Sequence, residues 1–315
     1  MQHLRFVLVV LVFCLAGYGS FFAMGRSSFY CTHSSSYFDT APCFQAEVHG
    51  RQVDTLVVGD SSLLYGIRPD LVAAAGGGSS YNFGMVGPSF GFRTRELIDR
   101  YLAHNGRPKA IVLYFAPWQL ISRDKVVDPQ WAPLGIYQLR YGSGADFFGF
   151  LRAVPAALAE LPPLIAANLT PHSAPALRRR AELARNDGYL AYTREGLKPL
   201  PEDCQPGQRP RRPFDGIDNR ASLAELRAHY RSLGIPVYVY LAPLAVCDDE
   251  IRTVRGIYAG LTDNIPQALP NPLFVDDAQV AEHVHASQAG VAVFSRNLAD
   301  FIRTKVRARP NEPAA

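Results

Sequence analysis

Ser61 directly follows a short apolar run and is the best-placed candidate nucleophile in this chain. The run at residues 54–58 predicts a buried strand that ends at Gly59. A helix that begins after this strand would point free backbone N–H groups and the positive end of its dipole at the site, which favours an oxyanion. Taken alone, the pattern is more typical of a helix cap by Ser61 or Ser62. A serine becomes a nucleophile only where a base activates it.

A candidate base lies near the end of the chain. Glu282 precedes His285 by three residues, and a carboxylate at this spacing can accept a bond from the imidazole Nδ1–H and fix the tautomer. The other ring nitrogen is then available as a base. His283 and His285 are separated by one residue, which on a strand would also suit a metal, but no further cluster of ligand residues accompanies them. We therefore predict acid–base chemistry without a metal or another cofactor.

Three segments in order resemble the SGNH (GDSL-type) hydrolase superfamily. Residues 54–61 look like its first block, residues 81–87 resemble the second, and residues 282–290 resemble the last. The matched regions are roughly 54–120 and 220–305. The resemblance implies a three-layer α/β/α, flavodoxin-like domain. Exported, membrane-anchored members of the superfamily often work with membrane-bound O-acyltransferases that acylate cell-envelope polysaccharides.

Catalytic roles follow from the resemblance, residue by residue. It assigns the nucleophile to Ser61, the base to His285 and the acid of the triad to Glu282. The family usually has an aspartate in the acid position, and glutamate adds one methylene that moves the carboxylate without forbidding the bond. Asp276 or Asp277 is the alternative acid if the preceding loop folds back.

The predicted oxyanion hole is incomplete. The resemblance assigns one N–H to Gly87 and another to Ser61. The third block of the family usually carries an asparagine after a strand, and here Trp118 occupies that place. Losing one oxyanion donor costs about 3 kcal/mol, or about 10²–10³ in rate. Gln119 is the candidate to supply the missing amide from the next position.

Strand and helix patterns alternate on both sides of the middle of the chain, which predicts an α/β domain with a mostly parallel central sheet. Ligand sites in such sheets lie outside the carboxyl ends of the strands. We expect strands near 54–58, 81–87, 109–116, 236–241 and 273–275, and helices near 63–75, 90–104, 174–185, 219–233 and 288–306, the last capped by Ser287.

The domain organisation predicted from the sequence has five parts. Residues 1–25 form a transmembrane anchor, residues 26–52 a linker, and residues 53–310 the SGNH-like domain, followed by a tail at 311–315. A Pro-rich, partly helical insertion at about 121–215 interrupts the domain and suggests a lid or a partner surface.

The N-terminal apolar run predicts export. Phe6 to Met24 contains no charge, and a spanning helix needs about 20 apolar residues. Ala23 and Gly25 could frame a signal-peptidase site, so a cleaved signal peptide is the rival interpretation. The run is longer than a usual signal core, which favours a single-pass anchor in the inner (cytoplasmic) membrane with the domain on the periplasmic side.

Four cysteines outside the apolar run, Cys31, Cys43, Cys204 and Cys247, are an even number for an exported chain. They suggest two disulfides, with three possible connectivities. A Cys31–Cys43 bond would close a short loop, and a Cys204–Cys247 bond would tie a long excursion to the domain.

Three functions from different classes agree with these features. The first is acyl transfer, with O-acetylation of a cell-envelope glycan as the expected reaction and a membrane-bound O-acyltransferase as a partner. The second is an esterase that removes acyl groups from carbohydrate. The third is a catalytically impaired, SGNH-like subunit that binds carbohydrate beside a membrane acyltransferase. The formal net charge is +4 with acidic and basic residues interleaved, and no nucleic-acid motif is present.

Overall fold

The computed structural model describes residues 2–26, 37–85, 94–116, 174–191, 220–245, 263, 274–275, 277–281 and 285–307. The chain divides into two compact units. One comprises residues 1–44 and 125–180, and the other comprises residues 45–124 and 181–315. The second unit contains the β-sheet and both Ser61 and His285.

The helices and strands of the described residues are named in chain order. The helices are α1 (Gln2–Arg26), α2 (Tyr37–Ala46), α3 (Ser61–Gly66), α4 (Pro69–Ala74), α5 (Thr94–His104), α6 (Ala174–Arg185), α7 (Arg220–Ser232) and α8 (Gln288–Phe301). The strands are β1 (Thr55–Gly59), β2 (Ser80–Gly84), β3 (Ala110–Phe115), β4 (Val237–Leu241), β5 (Leu244–Ala245), β6 (Phe274–Val275), β7 (Val280–Ala281) and β8 (His285–Ala286). A 3-10 turn precedes β7 at Asp277–Gln279, and a π-helical turn follows α8 at Ile302–Val306.

Helix α1 belongs to the first unit and is 25 residues long. Large apolar side chains on it face outward, including Phe6 at 71% exposure and Phe13 at 76%. Within the part of the chain that the structure describes, no helix meets the combined length and apolarity required for a membrane crossing.

Within the described residues, the central sheet has four strands in the order β2-β1-β3-β4, and all of their pairings are parallel. Helices flank it, so the predicted α/β class with a mostly parallel sheet is confirmed, and the strand order is compatible with a flavodoxin-like fold. Strands β5 and β6 form a short parallel pair, and β7 and β8 form an antiparallel pair.

The sheet is buried on both faces. Every residue of β1, β2 and β3 is buried, which explains why β1 and β3 are nearly continuous apolar runs and not alternating ones. Val57 and Val112 share one core cluster with Phe294 of α8. On another face, Phe83 of β2 meets Tyr101 of α5 in an edge-to-face contact, with ring centroids 5.6 Å apart.

The prediction of a single helix at 63–75 is wrong. The chain forms α3 and α4 instead, and Arg68 between them is extended, with φ −99° and ψ 115°. Pro69 explains the break, because a proline disfavours helical geometry in the residue before it. The predicted N-cap of the last helix is confirmed, since Ser287 Oγ accepts a bond from the Gly290 N–H at 3.1 Å.

Residues 181–191, which fall inside the predicted insertion, belong to the second unit. The Leu190 N–H donates to the Leu64 carbonyl of α3 at 3.1 Å, and the Asn82 N–H of β2 donates to the Asp187 carbonyl at 3.0 Å. This segment therefore binds the helix that begins at Ser61 and the strand beside it.

Candidate active site

Ser61 lies at the carboxyl end of β1, between the neighbouring strands β2 and β3. In open parallel sheets of this order, ligands bind at the switch point beside the first strand. Gly59 allows the close strand pairing there, because a Cβ on this residue would lie 1.8 Å from the Tyr114 carbonyl oxygen. The local fold thus brings Ser61 to the edge of the sheet at which sites of this architecture form.

The cap of α3 is Asp60, so the alternative interpretation, in which Ser61 or Ser62 only caps the helix, does not hold. Asp60 Oδ1 accepts a bond from the Ser62 N–H at 2.8 Å. A carboxylate at the residue before a helix satisfies one of its first N–H groups. The Ser61 hydroxyl is therefore not needed for capping and remains available for another partner.

That partner is His285. Its Nε2 lies 2.9 Å from Ser61 Oγ, which is within the hydrogen-bond reach required of a base and a nucleophile. His285 is held in β8, whose register pairs it with Ala281 of β7. Both Ser61 and His285 are half-buried. The two residues are 224 positions apart in the chain, so only the fold brings them together.

Asp60 is completely enclosed beside this pair. In addition to capping α3, its Oδ1 accepts a bond from the Ser62 hydroxyl, and its Oδ2 accepts one from the Ala116 N–H at 2.9 Å. Burial raises the pKa of Asp60, while hydrogen bonds from Ser62 and Ala116 and the charge of His285 oppose the shift. The carboxyl group joins the turn at Ser61 to the end of β3.

The ring of Tyr65 packs against the imidazole of His285. The ring of Tyr65 meets the ring of His285 at a centroid distance of 5.3 Å and an interplanar angle of 89°. Tyr65 lies on α3 and is 1% exposed. The helix that begins with the candidate nucleophile therefore also contacts the candidate base.

Asn82 braces α3 against β2. Its Nδ2 donates to the carbonyls of Leu63 and Ile67, and its Oδ1 accepts a bond from the Gly84 N–H at 2.9 Å. The next N–H, that of Met85, donates to the Gly59 carbonyl at 3.0 Å. Because these two N–H groups are already used, an oxyanion donor from this segment has to come from beyond residue 85.

The remaining predicted residues are only partly covered. Asp277 begins the 3-10 turn before β7, and the geometry of its side chain is not described. Cys43 is buried and disulfide-bonded. Predicted site and disulfide residues that lie outside the described residues are Gly87, Gln119, Glu282, Cys31, Cys204 and Cys247. The acid of the triad, all the oxyanion donors and both disulfide pairings stay predictions.

Among the described residues, no group of three or more His, Cys, Asp or Glu side chains is arranged to hold a metal ion. The arrangement that the described residues do form is a serine–histidine pair with a buried carboxyl group beside it. In such a pair, the histidine can take the proton of the serine hydroxyl as the serine oxygen attacks an electrophilic carbon.

Three residues of this site were not predicted as such. Asp60 follows a strand and precedes a helix, which is a recognised N-cap position, so its role was readable from the sequence. Tyr65 lies four residues after Ser61, on the same face of a helix, but nothing in the sequence indicated that His285 packs there. Asn82 resembled an ordinary strand residue, and its buried bonds to α3 required the structure.

The chain matches no protein-family model, no curated protein and no solved structure. The resemblance to SGNH hydrolases therefore rests on the three sequence blocks.

Proposed function

We propose that this protein is an SGNH-like acyl-transfer enzyme that is anchored in the inner membrane and O-acetylates a cell-envelope polysaccharide in the periplasm. Ser61 is the nucleophile, His285 the base, and Glu282 the acid, with Asp277 as the alternative. The domain that carries Ser61 and His285 has, in this proposal, the three-layer α/β/α form of the flavodoxin-like fold. A membrane-bound O-acyltransferase is the proposed partner that supplies acyl groups.

The distance of 2.9 Å between His285 Nε2 and Ser61 Oγ is the observation that carries this proposal. The three sequence blocks predict such a contact between residues that are far apart in the chain. The assignment of the helix cap to Asp60 removes the simplest competing role for Ser61. The position of the pair at the carboxyl end of β1 adds further support.

The proposed reaction has two halves. Ser61 Oγ attacks the carbonyl carbon of an acyl donor and gives its proton to His285 Nε2, and that proton passes to the leaving group as the bond between the acyl carbon and the leaving group breaks. A glycan hydroxyl then attacks the acyl-serine ester and gives its proton to His285. Ser61 recovers a proton from His285 as the ester bond breaks, so enzyme and base return to their initial states.

A carbohydrate esterase is the second candidate. The same pair would serve, with water in place of the glycan hydroxyl. Ser61 and His285 are both half-buried and not enclosed, and a site that does not exclude water favours hydrolysis of the acyl-enzyme. The third candidate, an impaired subunit that binds glycan beside an acyltransferase, is motivated by Trp118 in the place of the family's asparagine.

Membrane attachment is part of the proposal. The outward-facing apolar side chains of α1 support it, because apolar surface left in water is unfavourable by about 25 cal/mol per Å². Export also agrees with the disulfide at Cys43, since disulfides persist in oxidising compartments.

The two adjacent serines provide a matched test. Ser61→Ala should abolish labelling by a serine-directed fluorophosphonate probe and release of product from an activated acetyl ester. Ser62→Ala should keep both, because the Ser62 hydroxyl bonds to Asp60 and not to His285. Mass spectrometry of the labelled peptide and the rate of ester cleavage are the measurements.

Each outcome of this test selects one of the three candidates. Cleavage that is faster with added glycan, and that yields acetylated glycan, supports the transferase. An ester-cleavage rate that does not change when glycan is added supports the esterase. If the probe fails to label Ser61 of the unchanged protein, and the unchanged protein cleaves the ester no faster than Ser61→Ala does, the serine mechanism is wrong and the binding subunit is favoured.

A further inference from the structure

Ser61 and Tyr65 are four residues apart on α3, so their side chains project from the same face of the helix. His285 contacts both of them, through Nε2 at Ser61 and through its ring at Tyr65. We propose that Tyr65 is a positioning residue whose ring holds the His285 imidazole in the orientation that directs Nε2 at Ser61. This inference rests on the proposed function, because it assigns the support of the base in that reaction.

The imidazole needs such support. The terminal torsion of a histidine side chain has broad energy wells, so the ring of a half-buried His285 is not oriented by its own covalent geometry. The bond to Ser61 requires Nε2 within about 2.6–3.2 Å of the hydroxyl oxygen. A ring that stands perpendicular to the imidazole at 5.3 Å limits rotation about that torsion.

Tyr65 is itself fixed in place. It is 1% exposed, and the next residue, Gly66, lies where α3 approaches β8. A Cβ on Gly66 would be 3.7 Å from Ala286 Cβ and 3.4 Å from the Phe294 ring. The strand that carries His285 and the helix that carries Tyr65 are therefore close neighbours, with room for no more than a methyl group between them at Gly66. The Tyr65 ring cannot move away from the imidazole unless α3 and β8 separate.

Two substitutions of Tyr65 distinguish the effect of its ring from the effect of its hydroxyl group. Tyr65→Phe keeps the ring and should keep the rate of Ser61 labelling by a fluorophosphonate probe within about threefold. Tyr65→Leu removes the ring and should slow labelling about ten- to a hundredfold, since a misplacement of about 1 Å can cost about 10²-fold in rate. Both variants are tested in the full chain, and circular dichroism and chemical denaturation measure how much of each is folded.

Tyr101→Leu is the matched control for lost packing. Tyr101 is also a buried tyrosine, at 2% exposure, but its ring contacts Phe83 and Tyr81 at centroid distances of 5.6 Å and 5.9 Å. This variant should lose stability without changing the labelling rate of the folded protein. If Tyr101→Leu slows labelling as much as Tyr65→Leu does, general loosening explains the effect and the inference is overturned.

The orientation of the imidazole is measured directly by ¹⁵N NMR of the histidine side chains. His285→Ala identifies the His285 signals, which should move or broaden in Tyr65→Leu and stay unchanged in Tyr65→Phe and Tyr101→Leu. Unchanged signals and an unchanged labelling rate in Tyr65→Leu would overturn the inference. If Tyr65→Leu does not fold, Tyr65→Met, with a longer apolar side chain, replaces it in both measurements.

Failure of the proposed function gives a different result. In that case the unchanged protein and Ser61→Ala label equally, whatever stands at residue 65. The NMR measurement still tests whether Tyr65 orients the imidazole, because it needs no turnover.

Discussion

Ser61 and Ser62 are neighbours with the same side chain and different surroundings. Ser62 is 0% exposed and donates its hydroxyl to Asp60, whereas Ser61 is half-buried and lies against His285. The difference follows from the first turn of α3. An N-cap carboxylate bonds to the N–H two residues ahead, which draws Ser62 toward Asp60 and leaves Ser61 at the edge of the sheet.

Replacing Asp60 with Asn should destabilise the protein by about 1–3 kcal/mol, which is the usual cost of a buried polar group left without its partner. Both carboxyl oxygens of Asp60 accept bonds from N–H groups, one from Ser62 and one from Ala116. An amide has only one acceptor oxygen, so its NH₂ group must face one of these donors. Urea denaturation of the variant and the unchanged protein measures the difference.

Asp70→Asn is the control for this substitution. Asp70 is 61% exposed and pairs with Arg68 on the surface, and such pairs contribute about 0–1 kcal/mol. Equal losses in the two variants would mean that the buried bonds of Asp60 add nothing beyond a surface charge.

Two glycines at strand ends allow the elements of the site to meet. A Cβ on Gly59 would lie 1.8 Å from the Tyr114 carbonyl oxygen, and a Cβ on Gly84 would lie 2.6 Å from the Leu64 nitrogen. The first glycine sets the approach of β1 to β3, and the second sets the approach of β2 to α3. Both obstacles are backbone atoms, which cannot rotate away as a side chain does.

Gly59→Ala should destabilise the sheet by about 1–3 kcal/mol or more, the range expected for overpacking a closed interior. The added methyl group would separate β1 from β3 and displace Asp60 and Ser61. Gly66→Ala is the control, because its nearest neighbour would be at 3.4 Å, an ordinary contact. Denaturation midpoints compare the two, and a midpoint for Gly59→Ala equal to that of the control would contradict the packing argument.

Much of the sheet was predictable from the sequence, because β1, β3 and β4 are apolar runs bounded by charged residues, Gly or Pro. The parallel arrangement of the sheet was predicted from the alternation with helices, whereas the number of its strands was not, since the expected strand near 273–275 pairs with β5 and not with the central sheet. The break between α3 and α4 was missed although Pro69 marks it, since the periodic apolar residues continue across it. The packing of Tyr65 on His285 was beyond sequence reasoning, because it depends on tertiary contact between elements more than 200 residues apart.

The two units of the molecule differ in how they treat apolar side chains, which one buries and the other exposes. The second unit buries its apolar strands under helices, whereas α1 of the first unit exposes large apolar side chains between Phe6 and Leu15. Burial of those side chains in lipid is the proposed solution. A charge in the middle of a membrane helix is unfavourable by about 2.5–3.5 kcal/mol, which provides a test.

Replacing Leu11 and Val12 together with Arg should release the full-length protein from the membrane fraction on carbonate extraction. The control changes the same two residues to Ile, which keeps the segment apolar and should leave the protein in the membrane fraction. Retention of the arginine variant in extracted membranes would contradict anchoring through α1.

Because Ser61 and His285 are 224 positions apart, they also appear at different times during synthesis of the chain. Ser61 is synthesised early and His285 late, so an emerging chain carries a serine that has not yet met its base. A serine without a base is a weak nucleophile. Under the proposed function, Ser61 therefore becomes reactive only when β8, which carries His285, has folded beside α3, and the chain is unreactive while it is made.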